Sequence, residues 1–301
     1  MASTVSAQCG SAIATRLIGV VGPAGAVTLR LVFACVALAV TSTVVARRRR
    51  PKASVRGRLG ALLSRNRRRD VAVMFVFGLT LAGMNLCFYE AIGRVPLGVA
   101  VTLEFAGPLA VSLAGSRRAL HFLWAAFAGA GVLLLAGGSL LSGSGALHHL
   151  DSTGVGFALL AGALWAAYIL MNRETGRRFS GTWGLAGAMT VAAVTMAPFG
   201  VISDGVALVR PSVIGVGIAV ALLSSAIPYS FEVAALRRAT PRAFGILLSI
   251  APAVAALAGF VILGQGLTGA EAVALVLVVA ANFGSSLTSR RAGAAGAAGA
   301  V

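Results

Sequence analysis

Glu104 is the residue in this chain best placed to do chemistry. It stands in a long apolar stretch, four residues before Pro108. If that stretch is a helix, Glu104 lies about 12 Å inside it at 1.5 Å per residue, near the centre of a bilayer core roughly 30 Å thick. An ionised carboxylate at that depth costs several kcal/mol unless it is paired or wet, so an intramembrane acid points to function. Two roles fit such a group: contact with a substrate amine, or carriage of a coupling proton. The competing reading is a neutral acid hydrogen-bonded to a neighbouring helix for structure. Proline has no N–H, so Pro108, Pro228 and Pro252 would each leave a carbonyl four residues upstream without its helical partner. Those carbonyls belong to Glu104, Ser224 and Leu248. In hydrocarbon a freed carbonyl is tolerated where it is buried in protein or faces a wet cavity, although each proline could simply be a packing kink.

Other polar and aromatic side chains share these apolar stretches: Asn85, Tyr89, Trp165, Tyr168, Ser225, Tyr229 and Ser249, with Gln8 in a weaker first segment. Singly, each is more often glue between helices than a ligand contact. Glu90 and Glu232 are expected at span ends beside arginines, and Arg30 is expected to snorkel to the interface. Gly154, Ala158, Gly162 and Ala166 form a small-residue stripe, as do Gly245, Ser249 and Ala253; both suit close packing within the chain. No metal site is expected from His121, His148 and His149, which fall at span edges. Cys9, Cys35 and Cys87 have neither metal-ligand nor disulfide spacing. No phosphate-binding GxxxxGK[ST] loop is present, which argues against ATP-driven pumping by this chain, and no cofactor is implied. A membrane-embedded enzyme acting on lipid would need clustered acids or histidines at one interface, where only Asp151, Asp204, His148 and His149 are scattered.

The elements that must position these residues are membrane spans. Of the residues, 58% are hydrophobic and 11% charged, against about 25% charged in soluble domains, and mean hydropathy is +0.93. The apolar stretches 24–46, 71–92, 95–115, 120–141, 154–172, 182–203, 212–235, 242–263 and 268–288, with the weaker 2–19, predict ten transmembrane helices in an all-α polytopic membrane protein. The net charge of +17 would suggest nucleic acid in a soluble protein, but here the cations sit between spans. They cluster at 47–69, 117–118, 173–178, 237–242 and 290–291, in alternate gaps, whereas the other gaps hold only Arg16, Arg94, Asp151, Asp204 and Arg210. Cytoplasmic loops carry the excess of Lys and Arg. With ten spans both termini are expected in the cytoplasm. If 2–19 does not span, nine helices remain and the N-terminus lies outside. Either way the 47–69 loop is cytoplasmic, where it can touch anionic lipid.

Residues 103–115 align without gaps to 247–259, with identities at the first Leu, the Pro and the closing Leu-Ala-Gly. Five helices per half is an odd number, so such halves enter the membrane in opposite senses, as in many secondary transporters. The expected division is a first repeat over 1–145, a second over 150–289, and a flexible cytoplasmic tail over 290–301.

The stretches GMNLCFYEAIGRVPLGVAVTLEFAGPLAVSL (83–113), ALWAAYIL (163–170), LLSSAIPYSFEVAAL (222–236) and FGILLSIAPAVAALAGFVILG (244–264) resemble the EamA-type drug/metabolite transporters. Within that family the likeness is to the threonine/homoserine exporters, and 6–30 is similar to the family's first helix end and second-helix entrance. The resemblance implies a bacterial inner-membrane carrier of two inverted five-helix repeats. It would export small neutral amino acids in exchange for protons, or, as the alternative, another metabolite or drug. A substrate site lined by Glu104, Gln8, Asn85, Trp165, Tyr168, Tyr229 and Ser249 follows, with Pro108, Pro228 and Pro252 breaking helices around it. Two departures stand out: Ala251 and Gln265 occupy positions where the family commonly has Glu. The chain also begins within what the family's first helix would occupy, so that helix is expected to be short or truncated.

Overall fold

A computed structural model describes residues 2–48, 67–114, 119–141, 150–179, 183–228 and 249–298. Among these residues the secondary structure is helical, with no strand. Helical stretches at Ala2–Leu38, Arg69–Ile92, Ser152–Arg178 and Gly184–Val209 are long and apolar enough to cross a membrane, and shorter apolar helices accompany them. Large apolar side chains such as Phe122, Leu133, Ile202 and Phe260 lie on the outer surface, whereas Asn85, Thr102, Glu104 and Ser249 are buried. Water as the surrounding solvent would favour the reverse distribution; a bilayer accepts this one.

The helix Ala2–Arg48 is interrupted at Val21 and Gly22, where Gly22 takes φ 60° and ψ 171°. Only glycine adopts that backbone at no steric cost, and Pro23 follows at the first turn of the next helix. The two parts are α1 (2–20) and α2 (23–48). Their neighbours show that they fold into a hairpin. Pro211–Ala221, called α9 below, starts beside the turn and runs past Leu29 of α2 at Gly217. The chain beyond it then meets Ser6 and Gly10 of α1 at Leu223 and Ser224. Residues far from the turn on α1 thus lie level with the far part of α2. The weak first segment is therefore a separate helix, about 28 Å long at 1.5 Å per residue. Asp204, from the end of the helix Trp183–Asp204, packs against Gly22 and Gly25 at the start of α2.

Against this hairpin pack α3 (Arg67–Ile92) and α8 (Trp183–Asp204), which also pack on each other, and α7 (Ser152–Arg178) packs on α3 and α8. The span expected over 95–115 is broken in two: α4 (Leu97–Glu104) ends at a turn at Phe105, and α5 (Ala106–Ala114) restarts. Pro108 falls in the first turn of α5, where a missing N–H matters least. Small residues of α7 receive this break. Gly154 faces Arg94 and Val95, and a Cβ added at Gly162 would lie 2.7 Å from the Glu104 carbonyl oxygen. The Gly154-Ala158-Gly162 stripe is therefore an intramolecular seam. Beyond α5 come α6 (Ala119–Leu141), then α10 (Ala251–Leu263) and α11 (Gly269–Ala298), with α6 packed on α11. α11 runs on past Arg290 and Arg291, so the first residues of the expected tail continue the helix.

Two proline expectations change. After α9 the helix passes into a π turn at Leu222–Ala226, whose Ile227 N–H reaches the Leu222 carbonyl. In that register Pro228 withholds its donor from Leu223 rather than Ser224, and the Ser6 hydroxyl donates to the Leu223 carbonyl at 2.8 Å instead. Pro252, expected inside a span over 242–263, is the second residue of α10, preceded by a turn at Ile250. It costs that helix no hydrogen bond. Leu248, whose carbonyl was expected to be freed, lies outside the described residues. Pro198, inside α8, is a further helix-interior proline.

Candidate functional site

Glu104 is buried at the last turn of α4, against the small-residue seam of α7. Among the described residues no donor hydrogen-bonds its carboxylate. The guanidinium of Arg30, on α2, lies within electrostatic reach. Arg30 does not snorkel outward, contrary to expectation: it lies over the ring of Tyr89, 5.5 Å from the centroid, and donates to the Tyr89 hydroxyl at 3.5 Å. Tyr89 is fully buried on α3. Asn85, one turn earlier on the same face, is buried too and donates to the Leu81 carbonyl at 2.8 Å. Three helices, α2, α3 and α4, therefore bring a carboxylate, a guanidinium, a phenol and an amide into one region. Arg30 is the member that sequence reasoning missed. The available signal was a lone charge inside an apolar run, and the side chain's direction could not be read without its neighbours.

The other expected site residues lie on α1 and α7, beside α10, or outside the described residues. Trp165 on α7 meets Phe105 edge-on at 4.8 Å, so it touches the residue next to Glu104. Tyr168, one turn further, stacks at a tilt on Phe77 of α3 at 5.3 Å, away from the break. Gln8 sits on α1 near Gly10, where α1 meets Ser224. The Gln8 Oε1 and Ser224 Oγ atoms are buried with no hydrogen-bond partner among the described residues. Such atoms are expensive in a finished core, so they suit a site that a ligand or water completes. Ser249 is buried immediately before the turn at Ile250. Tyr229 lies outside the described residues. Of the three prolines, Pro108 and Pro252 stand at helix starts and Pro228 follows the π turn.

The substitution at Gln265 has a structural account. Gly264, at φ 69°, closes α10 and turns the chain. Gln265 Oε1 then accepts the Leu97 N–H at 3.0 Å, filling an orphan donor at the start of α4. An amide oxygen serves there as a carboxylate would. Ala251 is buried at the start of α10, and nothing in the structure explains it. At the two ends of α3 the charges are structural. Arg94 pairs with Glu90, as expected, and stands 3.7 Å from Asp151; Arg178 bridges Asp70 at 3.1 Å and Glu174 at 2.7 Å. Among the described residues no His/Cys/Asp/Glu group could hold a metal.

Apolar helices on the outside, with broken helices and opposite charges inside, define a multi-pass membrane transporter. The model of the EamA-like transporter family matches residues 152–287. The threonine/homoserine exporter RhtA of Salmonella typhimurium (strain LT2) is 44% identical over 218 residues, 72% of each chain. RhtA of Escherichia coli (strain K12) gives the same identity and coverage. This chain belongs to the EamA-like transporter family. A solved crystal structure at 20% identity superposes over 96% of both chains with a TM-score of 0.61, so the fold is shared beyond recognisable sequence.

Proposed function

We propose that this protein exports small neutral amino acids of the threonine/homoserine type across the bacterial cytoplasmic membrane, by proton antiport and alternating access. The observation that carries this reading is Glu104, buried at the α4–α5 break. The substrate class is supported by the 44% identity to exporters of that name. An ionised Glu104 holds the substrate ammonium; a protonated one does not. Substrate and proton therefore exclude each other at one carboxyl, and that exclusion is the coupling. Substrate leaves outward, a proton takes its place, and the return step delivers the proton to the cytoplasm.

Alternating access needs two bodies that rock about the site. Ten spans in two inverted repeats, over 1–145 and 150–289, would supply them. Two features favour this division: the family match occupies most of the second stretch, and aligned Pro108 and Pro252 each fall in the first turn of a helix that restarts after a break. Both termini are then cytoplasmic.

The test uses purified protein in liposomes loaded with labelled threonine or homoserine. Inward proton flow drives export, so an acidic exterior accelerates efflux relative to equal pH, and Glu104→Gln removes that acceleration while its melting temperature stays close to wild type. Full, gradient-stimulated efflux by Glu104→Gln would remove the role given to Glu104. No gradient-dependent flux of any small amino acid would sink the substrate assignment.

A further inference from the structure

We propose that Arg30 binds the substrate's carboxylate, facing Glu104, so that the site selects a zwitterion by holding its anion on α2 and its ammonium on α4. The proposal deepens the amino-acid export reading and rests on it. Its basis is the placement of Arg30. α2 starts beside Asp204, and the turn before α4 packs at Gly93 against Ile18, close to the α1–α2 turn. Both helices thus descend from the same end of the molecule. Arg30 lies eight residues past Gly22 and Glu104 seven past Leu97, roughly 12 Å and 10.5 Å down at 1.5 Å per residue. The two charges are level, on different helices.

Arg30 is also unspent. Its contacts among the described residues are the ring of Tyr89 and one long hydrogen bond to the Tyr89 hydroxyl. No carboxylate salt-bridges it there, whereas Arg94 and Arg178 each pair with acids. A guanidinium has five donors in a planar fork that matches a carboxylate. The contact with buried Tyr89 holds the guanidinium in place and leaves most of its donors without a partner among the described residues. A cation held inside a span without a full partner is costly, and such residues mark substrate paths. Glu104 lies within electrostatic reach of Arg30 but makes no salt bridge with it among the described residues. A simple amine would leave Arg30 unmatched, and a simple acid would leave Glu104 unmatched. A zwitterion satisfies both.

The test measures binding to the purified full-length protein by titration calorimetry. The ligands are threonine, its amino alcohol (hydroxymethyl in place of carboxylate) and 3-hydroxybutyrate, which lacks the amine. Matching pairs of the other neutral amino acids and their amino alcohols complete the panel. Removing one member of a buried charge pair is expensive, so Arg30→Gln should weaken the amino acid at least about thirtyfold and leave its amino alcohol within about twofold. Arg30→Lys should recover part of the loss, because it keeps the charge without the fork. Equal weakening of both ligands would mean a merely structural arginine and overturns the proposal, as does no effect on either. Absence of binding by every amino acid in the panel overturns it together with the export reading. If another amino acid binds in place of threonine and Arg30→Gln still separates acid from alcohol, the threonine assignment fails and Arg30 stands. Should Arg30→Gln not fold, Arg30→Lys carries the same comparison, with selective loss expected and equal loss overturning.

Discussion

Gly107 and Gly162 decide how closely the α4–α5 break can approach α7. A Cβ on Gly162 would meet the Glu104 carbonyl at 2.7 Å, and one on Gly107 would run into the backbone carbonyl of Gly162. Backbone cannot swing aside as a side chain can, so alanine at either position must push the helices apart. Overpacking of this kind costs about 1–3 kcal/mol. Gly156 on the same helix has nothing within 4 Å of its would-be Cβ. There alanine only improves helix propensity, by up to about 1 kcal/mol. Thermal melts of the three alanine variants should therefore fall for Gly107 and Gly162 and hold or rise for Gly156. Flux should drop with the first two, because the break carries Glu104. If Gly107→Ala melts like wild type, the seam does not set the position of the acid. Glu104 and the small-residue stripe were both legible in the sequence, the first from a charge in an apolar run and the second from four-residue spacing. Arg30 was not. Snorkelling and inward pairing look identical in one dimension, and the side chain follows whichever face its helix turns to Tyr89.

At the scale of elements, the prolines show how local chemistry sets a register that spacing alone cannot give. Pro228 visibly lacks a donor, but the π turn shifts the loss by one residue, to the Leu223 carbonyl, which Ser6 then satisfies across 217 residues of sequence. One added residue in a helical turn leaves no sequence signature. The pairing can be tested by a double-mutant cycle. Ser6→Ala strands a part-buried carbonyl and should cost about 1 kcal/mol. Pro228→Ala restores a backbone N–H beside it, so the serine deletion should cost clearly less in that background. Additive losses in the melting temperatures of the two single variants and the double would mean that Ser6 does not compensate for Pro228. The same limit applies to Pro252. Its place in the first turn of α10 depends on a turn at Ile250, and only the backbone there reveals it.

At the scale of the whole molecule, the arginine distribution carries the most information per residue, because a bilayer sorts charge before any packing is decided. The apolar stretches predicted helices, and helices are what the described residues form. The break at Gly22 was less obvious. Hydropathy shows only a weak first segment, whereas a left-handed glycine before a proline turns it back along α2. The proposed orientation can be read from outside the cell. In a background with Cys9, Cys35 and Cys87 replaced, one cysteine is placed in the basic gap as Ser54→Cys. Another goes at the exposed start of α7 as Ser152→Cys, one residue past Asp151, on the opposite side in the proposed topology. A membrane-impermeant maleimide added to intact cells should label the second and spare the first until the membrane is opened. Residue 54 lies among eleven basic residues between 47 and 69, and at about 1 kcal/mol per cation an anionic cytoplasmic leaflet would hold that segment strongly in the proposed topology. Labelling of Ser54→Cys in intact cells would reverse the orientation of every helix and put the Arg94–Glu90–Asp151 cluster on the cytoplasmic side. Labelling of both sites would break the alternation on which two inverted halves depend.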